Sequence, residues 1–228
     1  MNSDTIIDSN FKTTIELLNK NEIPYWVCHG SLLGIVREGN LISWDHDIDI
    51  AIFKSKVDIE KLKRLFVNEG FQDRGGSFEN TIHPKKKGGK HLDINLYHKV
   101  YSDPLNNEYG VFYQIPKNFI LFRVLHVACD DHDYDGKYTN IVKCLRFFKF
   151  CFLPIKQFLD KWQLTYNLMG YSMPVKFLNE FTYFKINELD IRIPKHSIEI
   201  CELIYGKDWK KPKKDFNWKS DSKATKKI

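Results

Sequence analysis

The chain has few cysteines. Five stand at positions 28, 129, 144, 151 and 201 of 228 residues, an odd number with no Cys-x-x-Cys pair. That excludes a disulfide scaffold and a thiolate zinc site, and it predicts reduced thiols in a reducing compartment. Long apolar runs are missing too. A membrane-spanning helix needs about 18 uncharged apolar residues, and the richest stretch, 144–159, is interrupted by Arg146, Lys149 and Lys156. The first ten residues carry Asp4 and Asp8 and no apolar h-region, so no secretory leader is expected. Charge of one sign is missing from most of the chain. The formal net charge is +6, from 35 Lys+Arg against 29 Asp+Glu, and residues 205–228 hold nine Lys and three Asp. The rest balances at 26 of each sign. A basic isoelectric point here is a property of the tail, which weakens a nucleic-acid reading of the whole.

What is present is ample apolar material. The chain is 43% hydrophobic, with 5 Trp, 11 Tyr and 17 Phe, enough to bury a core and exclude disorder over most of the length. Phe11, Ile15 and Leu18 form one stripe, which predicts a helix over 9–20. A short strand over 25–28 follows, then Gly30-Ser31, a short helix and a turn at Gly39-Asn40. Residues 47–53 alternate, with Ile48, Ile50 and Ile52 on one face and Asp47 and Asp49 on the other. Asp58 caps a helix that ends at Gly70. Residues 78–82 and 91–97 read as strands joined by a basic loop. The second strand carries Leu92, Ile94 and Leu96 inward and His91, Asp93, Asn95 and Tyr97 outward. From Ile141 to Met169, apolar residues recur at alternating spacings of four and three. This predicts long, core-packed helix, kinked or split at Pro154. Residues 184–194 look like strand, with a helix after them to Tyr205. The expected organisation is a catalytic core over 1–100, a helical acceptor part over 101–210 and a Lys-rich tail over 211–228. That tail should be disordered past Trp218.

The chemistry lies in Trp44-Asp45-His46-Asp47-Ile48-Asp49. Two carboxylates at i and i+2 on a strand share a face about 7 Å apart. Such a pair is costly unless a cation compensates it. A hard divalent ion, Mg²⁺ or alternatively Mn²⁺, suits carboxylate oxygens. Asp93, on a neighbouring strand, would complete a site for one or two metals. Asp45 suits the periphery of that site or a cap. Gly30-Ser31 sits where a strand gives way to a helix, a place where free N–H groups meet a phosphate. A solvated acidic turn is the plain alternative reading of the Asp cluster.

His29-Gly30-Ser31-Leu32-Leu33-Gly34-Ile35-Val36-Arg37, followed by Trp44-Asp45-His46-Asp47-Ile48-Asp49, resembles the LicD/fukutin signature. The segments Ile191-Arg192-Ile193-Pro194, Tyr205-Gly206-Lys207-Asp208-Trp209 and Pro212 are similar to that family's ending. The resemblance implies an α+β nucleotidyltransferase-like core, a small mixed sheet flanked by helices, with a mainly helical C-terminal part. It also implies Mg²⁺-dependent transfer of phosphocholine or a polyol phosphate from a CDP-activated donor to a glycan hydroxyl, releasing CMP. In this reading Asp47, Asp49 and Asp93 hold the metals and carry the catalysis. Gly30 and Ser31 line the donor phosphates, and Arg37, Asp45 and Lys90 assist in binding. The acceptor is a glycan or lipid-linked glycan. The size and missing leader resemble the cytoplasmic bacterial-type members. Two other readings stand beside it: nucleotidyl transfer from an NTP, and a nucleic-acid module built on the Lys tail. No nucleic-acid partner is expected.

Two further stretches stand out. Asp131-His132-Asp133-Tyr134-Asp135-Gly136 opens like a calcium loop, but Val142 occupies the position of the bidentate Glu. Phe147, Phe150 and Cys151 beside Lys143, Arg146 and Lys149 suit either core packing or peripheral contact with a membrane.

Overall fold

The computed structural model describes residues 7–73, 80–101, 107–129 and 144–228. The Asp131–Gly136 motif, Phe78 and the first residues of the 141–169 stripe lie outside them. The fold is α+β, with a mixed sheet flanked by helices. Helix α1 (Ser9–Lys20) starts where Asp8 accepts from the Asn10 and Phe11 amides, a side-chain cap that satisfies two orphan donors. Strand β1 (Tyr25–Val27) leads into α2 (His29–Glu38), which Gly39 closes in the left-handed conformation. Then come β2 (Asp47–Phe53) and α3 (Ile59–Asn68), the latter capped by Asp58 as expected. Short strands β3 (Gln72–Asp73), β4 (Thr81–Ile82) and β5 (Pro84–Lys85) precede the long β6 (His91–Val100).

The sheet runs β1-β2-β6 and on through β7 (Glu108–Pro116), β8 (Tyr166–Pro174) and β11 (Thr225–Lys227), with β4 also on β6. The β2–β6 pair is parallel and the others antiparallel. A hairpin of β9 (Phe181–Ile186) and β10 (Leu189–Pro194) turns at Asn187, whose φ is 51°. It packs on β1, where Tyr25 Oη accepts from the Arg192 amide. Helix α6 (Ser197–Tyr205) lies on α2. One continuous core joins Phe11 and Ile15 to Ile50, Ile94, Tyr171, Trp209 and Ala224.

Three expectations change. Among the described residues of 101–210, four strands stand beside α4 (Ile120–Cys129), α5 (Lys149–Lys161) and α6, so these residues are mixed and not mainly helical. The helical stripe stops at Lys161, and Tyr166–Met169 belong to β8. Tyr166 and Met169 fall three residues apart, so their strand spacing continues the helical period by coincidence. The tail past Trp218 is ordered: Ala224 is buried, and Thr225–Lys227 add an edge strand to β8. Lysines are compatible with that place, because charged side chains on an edge strand deter further pairing.

Candidate active site

The carboxylates meet through strand register. Along β2 the isoleucines Ile48, Ile50 and Ile52 are fully buried, and Asp47 and Asp49 point the other way. Parallel pairing sets Asp47 beside His91 and Asp49 beside Asp93. The first turn of α2 grips Asp49 from above. Its carbonyl accepts from the Cys28 amide (3.1 Å), and its amide donates to Ser31 Oγ (2.9 Å). A Cβ on Gly30 would lie 2.5 Å from Asp45 Oδ2 and 3.6 Å from Asp49 Oδ2. A side chain at position 30 would therefore displace the Asp45 carboxylate from its place against the helix.

The electrostatics follow from that crowding. Burial first, then Asp93, Asp45 and Asp47, push the Asp49 carboxyl well above the usual carboxylate range, and the Gly30 amide partly offsets this. Asp47 is also raised, by desolvation and then by Asp93 and Asp45, against His91 and His46. Like charges in a low-dielectric edge each disfavour ionisation of the others. Asp93 Oδ1 accepts from His83 Nδ1 at 2.7 Å.

The other expected residues are placed as follows. Ser31 is buried, with its hydroxyl on Asp49. Lys90 Nζ donates to the carbonyls of Ile42 (3.2 Å) and Asp45, tying down the loop that carries Asp45. Arg37 pairs with Glu38, reaches the Trp209 carbonyl (3.5 Å) and stacks 5.9 Å from the Trp44 ring. Gly30, Arg37 and Asp45 line a cavity of about 380 Å³ whose far wall is the segment 205–216. That wall contributes Tyr205, Trp209 and Phe216 together with Lys211, Lys213 and Lys214, and Lys214 Nζ stands 5.2 Å from the Trp44 ring.

Several neighbours escaped the sequence reading. His83 comes to Asp93 because β4 pairs with β6, setting Ile82 opposite Ile94. The expected outward residues Asn95 and Tyr97 are buried, because a polar aromatic layer covers that face. Tyr113 Oη donates to Asn95 Oδ1 (2.7 Å), and Tyr97 Oη and His29 Nε2 share a hydrogen bond at 3.4 Å. His29 stacks on Tyr171 at 4.1 Å, and burial pushes its pKa down to about 3, so it is neutral. Its φ of 46° is strained for a non-glycine residue, as is common where a scaffold over-determines a site.

The model of the LicD/FKTN/FKRP nucleotidyltransferase domain family matches residues 22–119, which hold α2, β2 and β6 and therefore Gly30, Asp47, Asp49 and Asp93. Over this segment the chain is similar to LicD-type domains. Among curated relatives, ribitol 5-phosphate transferase FKRP of Homo sapiens is 32% identical over 89 residues, which is 36% of this chain and 18% of that protein. Ribitol-5-phosphate transferase FKTN of Homo sapiens is 26% identical over 205 residues, 89% of this chain and 32% of that protein. The second similarity runs well past the matched segment 22–119. The chain spans roughly a third or less of the length of these relatives. Among solved structures, lincosamide antibiotic adenylyltransferase LnuA superposes with a TM-score of 0.44 at 10% identity, over 86% of this chain and 85% of that one. No helix among the described residues is long and apolar enough to cross a membrane.

Proposed function

We propose that this chain is a phosphotransferase that moves a phosphorylated alcohol from a CDP-activated donor to a glycan hydroxyl and releases CMP. The observation that carries the reading is the parallel register of Asp49 and Asp93 beside a cleft walled by cations and aromatics. Arg37, Lys211, Lys213 and Lys214 suit a diphosphate, and the exposed Trp44 offers a ring face to a pyrimidine. In the transfer, the acceptor oxygen forms a bond to the donor's distal phosphorus while the bond to the CMP oxygen breaks. The hydroxyl proton passes to a carboxylate of the site or to water.

Asp47, Asp49 and Asp93 would hold Mg²⁺ or Mn²⁺. Among the described residues no three His, Cys, Asp or Glu side chains already converge as a ligand set. The donor chemistry still fits, since all three offer hard oxygens and the repulsion that raises Asp47 and Asp49 is what a divalent ion relieves. When bound, such an ion would neutralise charge on the transferring phosphoryl group. His83 acts here as a positioning residue for Asp93. His83→Ala is expected to raise the Mg²⁺ concentration for half-maximal turnover by about 10–100-fold. His83→Asn, which keeps a donor, should recover part of it; titrating activity against Mg²⁺ measures both.

The reaction itself is tested by incubating the protein and Mg²⁺ with CDP-choline, CDP-ribitol, CDP-glycerol or NTPs, and a glycan acceptor. CMP release from one CDP-alcohol is the expected result. Pyrophosphate release from an NTP instead would establish nucleotidyl transfer and overturn the proposal. The chemistry would take place in the cytoplasm, where CDP-alcohols are made available to reduced-thiol proteins.

A further inference from the structure

Helix α5 is amphipathic the wrong way round for a core helix. Its one buried residue is Lys156, whose Nζ pairs with Asp160 (2.8 Å), and Asp160 in turn accepts from the buried Thr165 hydroxyl. The opposite face carries Phe150, Cys151, Pro154, Ile155, Phe158 and Trp162, all exposed. At 3.6 residues per turn these six fall within an arc of roughly 140°. Phe150 is 73% exposed, Phe158 65% and Trp162 66%. The patch extends beyond α5. Ten of the sixteen large hydrophobic side chains exposed among the described residues belong to α4, α5 and the residues beside them. Helix α5 rests on α4, and α4 on β7, so this pair stands out from the main sheet. A water-soluble surface does not normally gather so much apolar area in one place.

Charge selects what covers it. Residues 117–129 and 144–164 contain six Lys or Arg and one acid, Asp160. That acid is turned toward Lys156 and away from the apolar face. Among the described residues this apolar face is bordered by cations and carries no acid, which matches the interface of an anionic bilayer. It disfavours a second copy of itself, which would set Lys161 and the other bordering cations against their own copies. Trp162 at the C-terminal edge of α5 is the residue type that settles at headgroup level. We infer that the outer face of the α4–α5 pair docks on anionic membrane lipid, burying the Phe150–Phe158–Trp162 stripe among the acyl chains nearest the headgroups. This is a surface attachment and requires no membrane-spanning helix, and it is independent of which phosphoryl donor the cleft accepts.

The test uses the full chain and sedimented vesicles of phosphatidylcholine, with or without about a third phosphatidylglycerol. Binding is expected to the mixed vesicles and to be weakened by salt. Depth-dependent quenching by brominated lipid should be lost in Trp162→Tyr. The double variant Phe150→Asp/Phe158→Asp changes only exposed positions, so its melting temperature should match the parent, and its partitioning should fall by about tenfold or more. Binding of the double variant equal to the parent would overturn the inference, as would a parent that stays in the supernatant with both vesicle types. A parent dimer that the double variant converts to monomer, with vesicle binding unchanged, would assign the face to a protein partner and equally overturn it.

Discussion

Asp49→Asn is expected to lower turnover by at least about 10³-fold and, in the same protein, to raise the melting temperature. The two effects share one cause. Asp49 sits under the α2 N-terminus with Asp45, Asp47 and Asp93 around it, and its ionised form is disfavoured by burial and by all three neighbours. An amide of the same shape keeps the hydrogen bond from Gly30 and removes the charge. What is lost is the hard anionic oxygen that a divalent ion and a phosphoryl group require. What is relieved is repulsion, of the size that a single optimising substitution commonly releases, about 1 kcal/mol or a rise of about 2–4 °C for a chain of this length. The pH dependence follows from the sign of the shift. The folded-state pKa lies above the unfolded value, so protonation favours the native state. The penalty is absent below the unfolded pKa, grows as pH rises through the folded pKa and is complete above it. In chelator, the gap between variant and parent should therefore widen from acid to neutral pH. Adding Mg²⁺ should close it by stabilising the parent alone. A scanning fluorimetry series over pH, with and without Mg²⁺, reads all of this. An active Asp49→Asn protein would remove Asp49 from the chemistry.

Gly170→Ala should be the most damaging single-methyl change in the molecule. Gly170 lies mid-strand in β8, paired with Phe112 of β7 on one side and Lys226 of β11 on the other. A Cβ there would stand 2.6 Å from Phe112 Cα and closer still to the Val111 carbonyl oxygen. Those are backbone atoms, so no rotamer can yield, and β7 and β8 must separate. The next residue is Tyr171, on which His29 stacks, so the floor of the site moves with the strand. We expect a loss of about 3 kcal/mol or more, near the upper end for overpacking, and a fall in melting temperature of about 10 °C. Thermal unfolding of the purified variant measures it, and a fall of under about 2 °C would show that the sheet flexes there.

The parts of the site that could be read in advance are those set by local period. Asp47, Asp49 and Asp93 each interrupt an alternation of buried isoleucine or leucine, so strand, face and role are written in a few consecutive residues. The cap at Asp58 and the helix over 9–20 are equally local. His83 was not legible, because its meeting with Asp93 depends on β4 finding β6. The cleft wall was not legible either. Trp209, Lys213 and Lys214 face Trp44 across more than a hundred and fifty residues of sequence. The 141–169 stripe misled for a physical reason. Apolar spacing does not report how deeply a face is buried: Ile155 and Trp162 of the stripe are exposed, while Phe152 and Leu159 are half-buried.

The parallel β2–β6 pairing has one more consequence. Strand register changes only in whole residues, and a slip of one turns Asp93 to the opposite face. The distance between the two acids is therefore a stepped quantity. The residues between β2 and β6 can lengthen, shorten or drift during evolution without altering it, while a single insertion inside 91–93 would abolish it. The spacing of the paired acids is insulated from their crossover, and lineages can remodel that connection while the acids stay in step, provided β4 still brings His83 to Asp93.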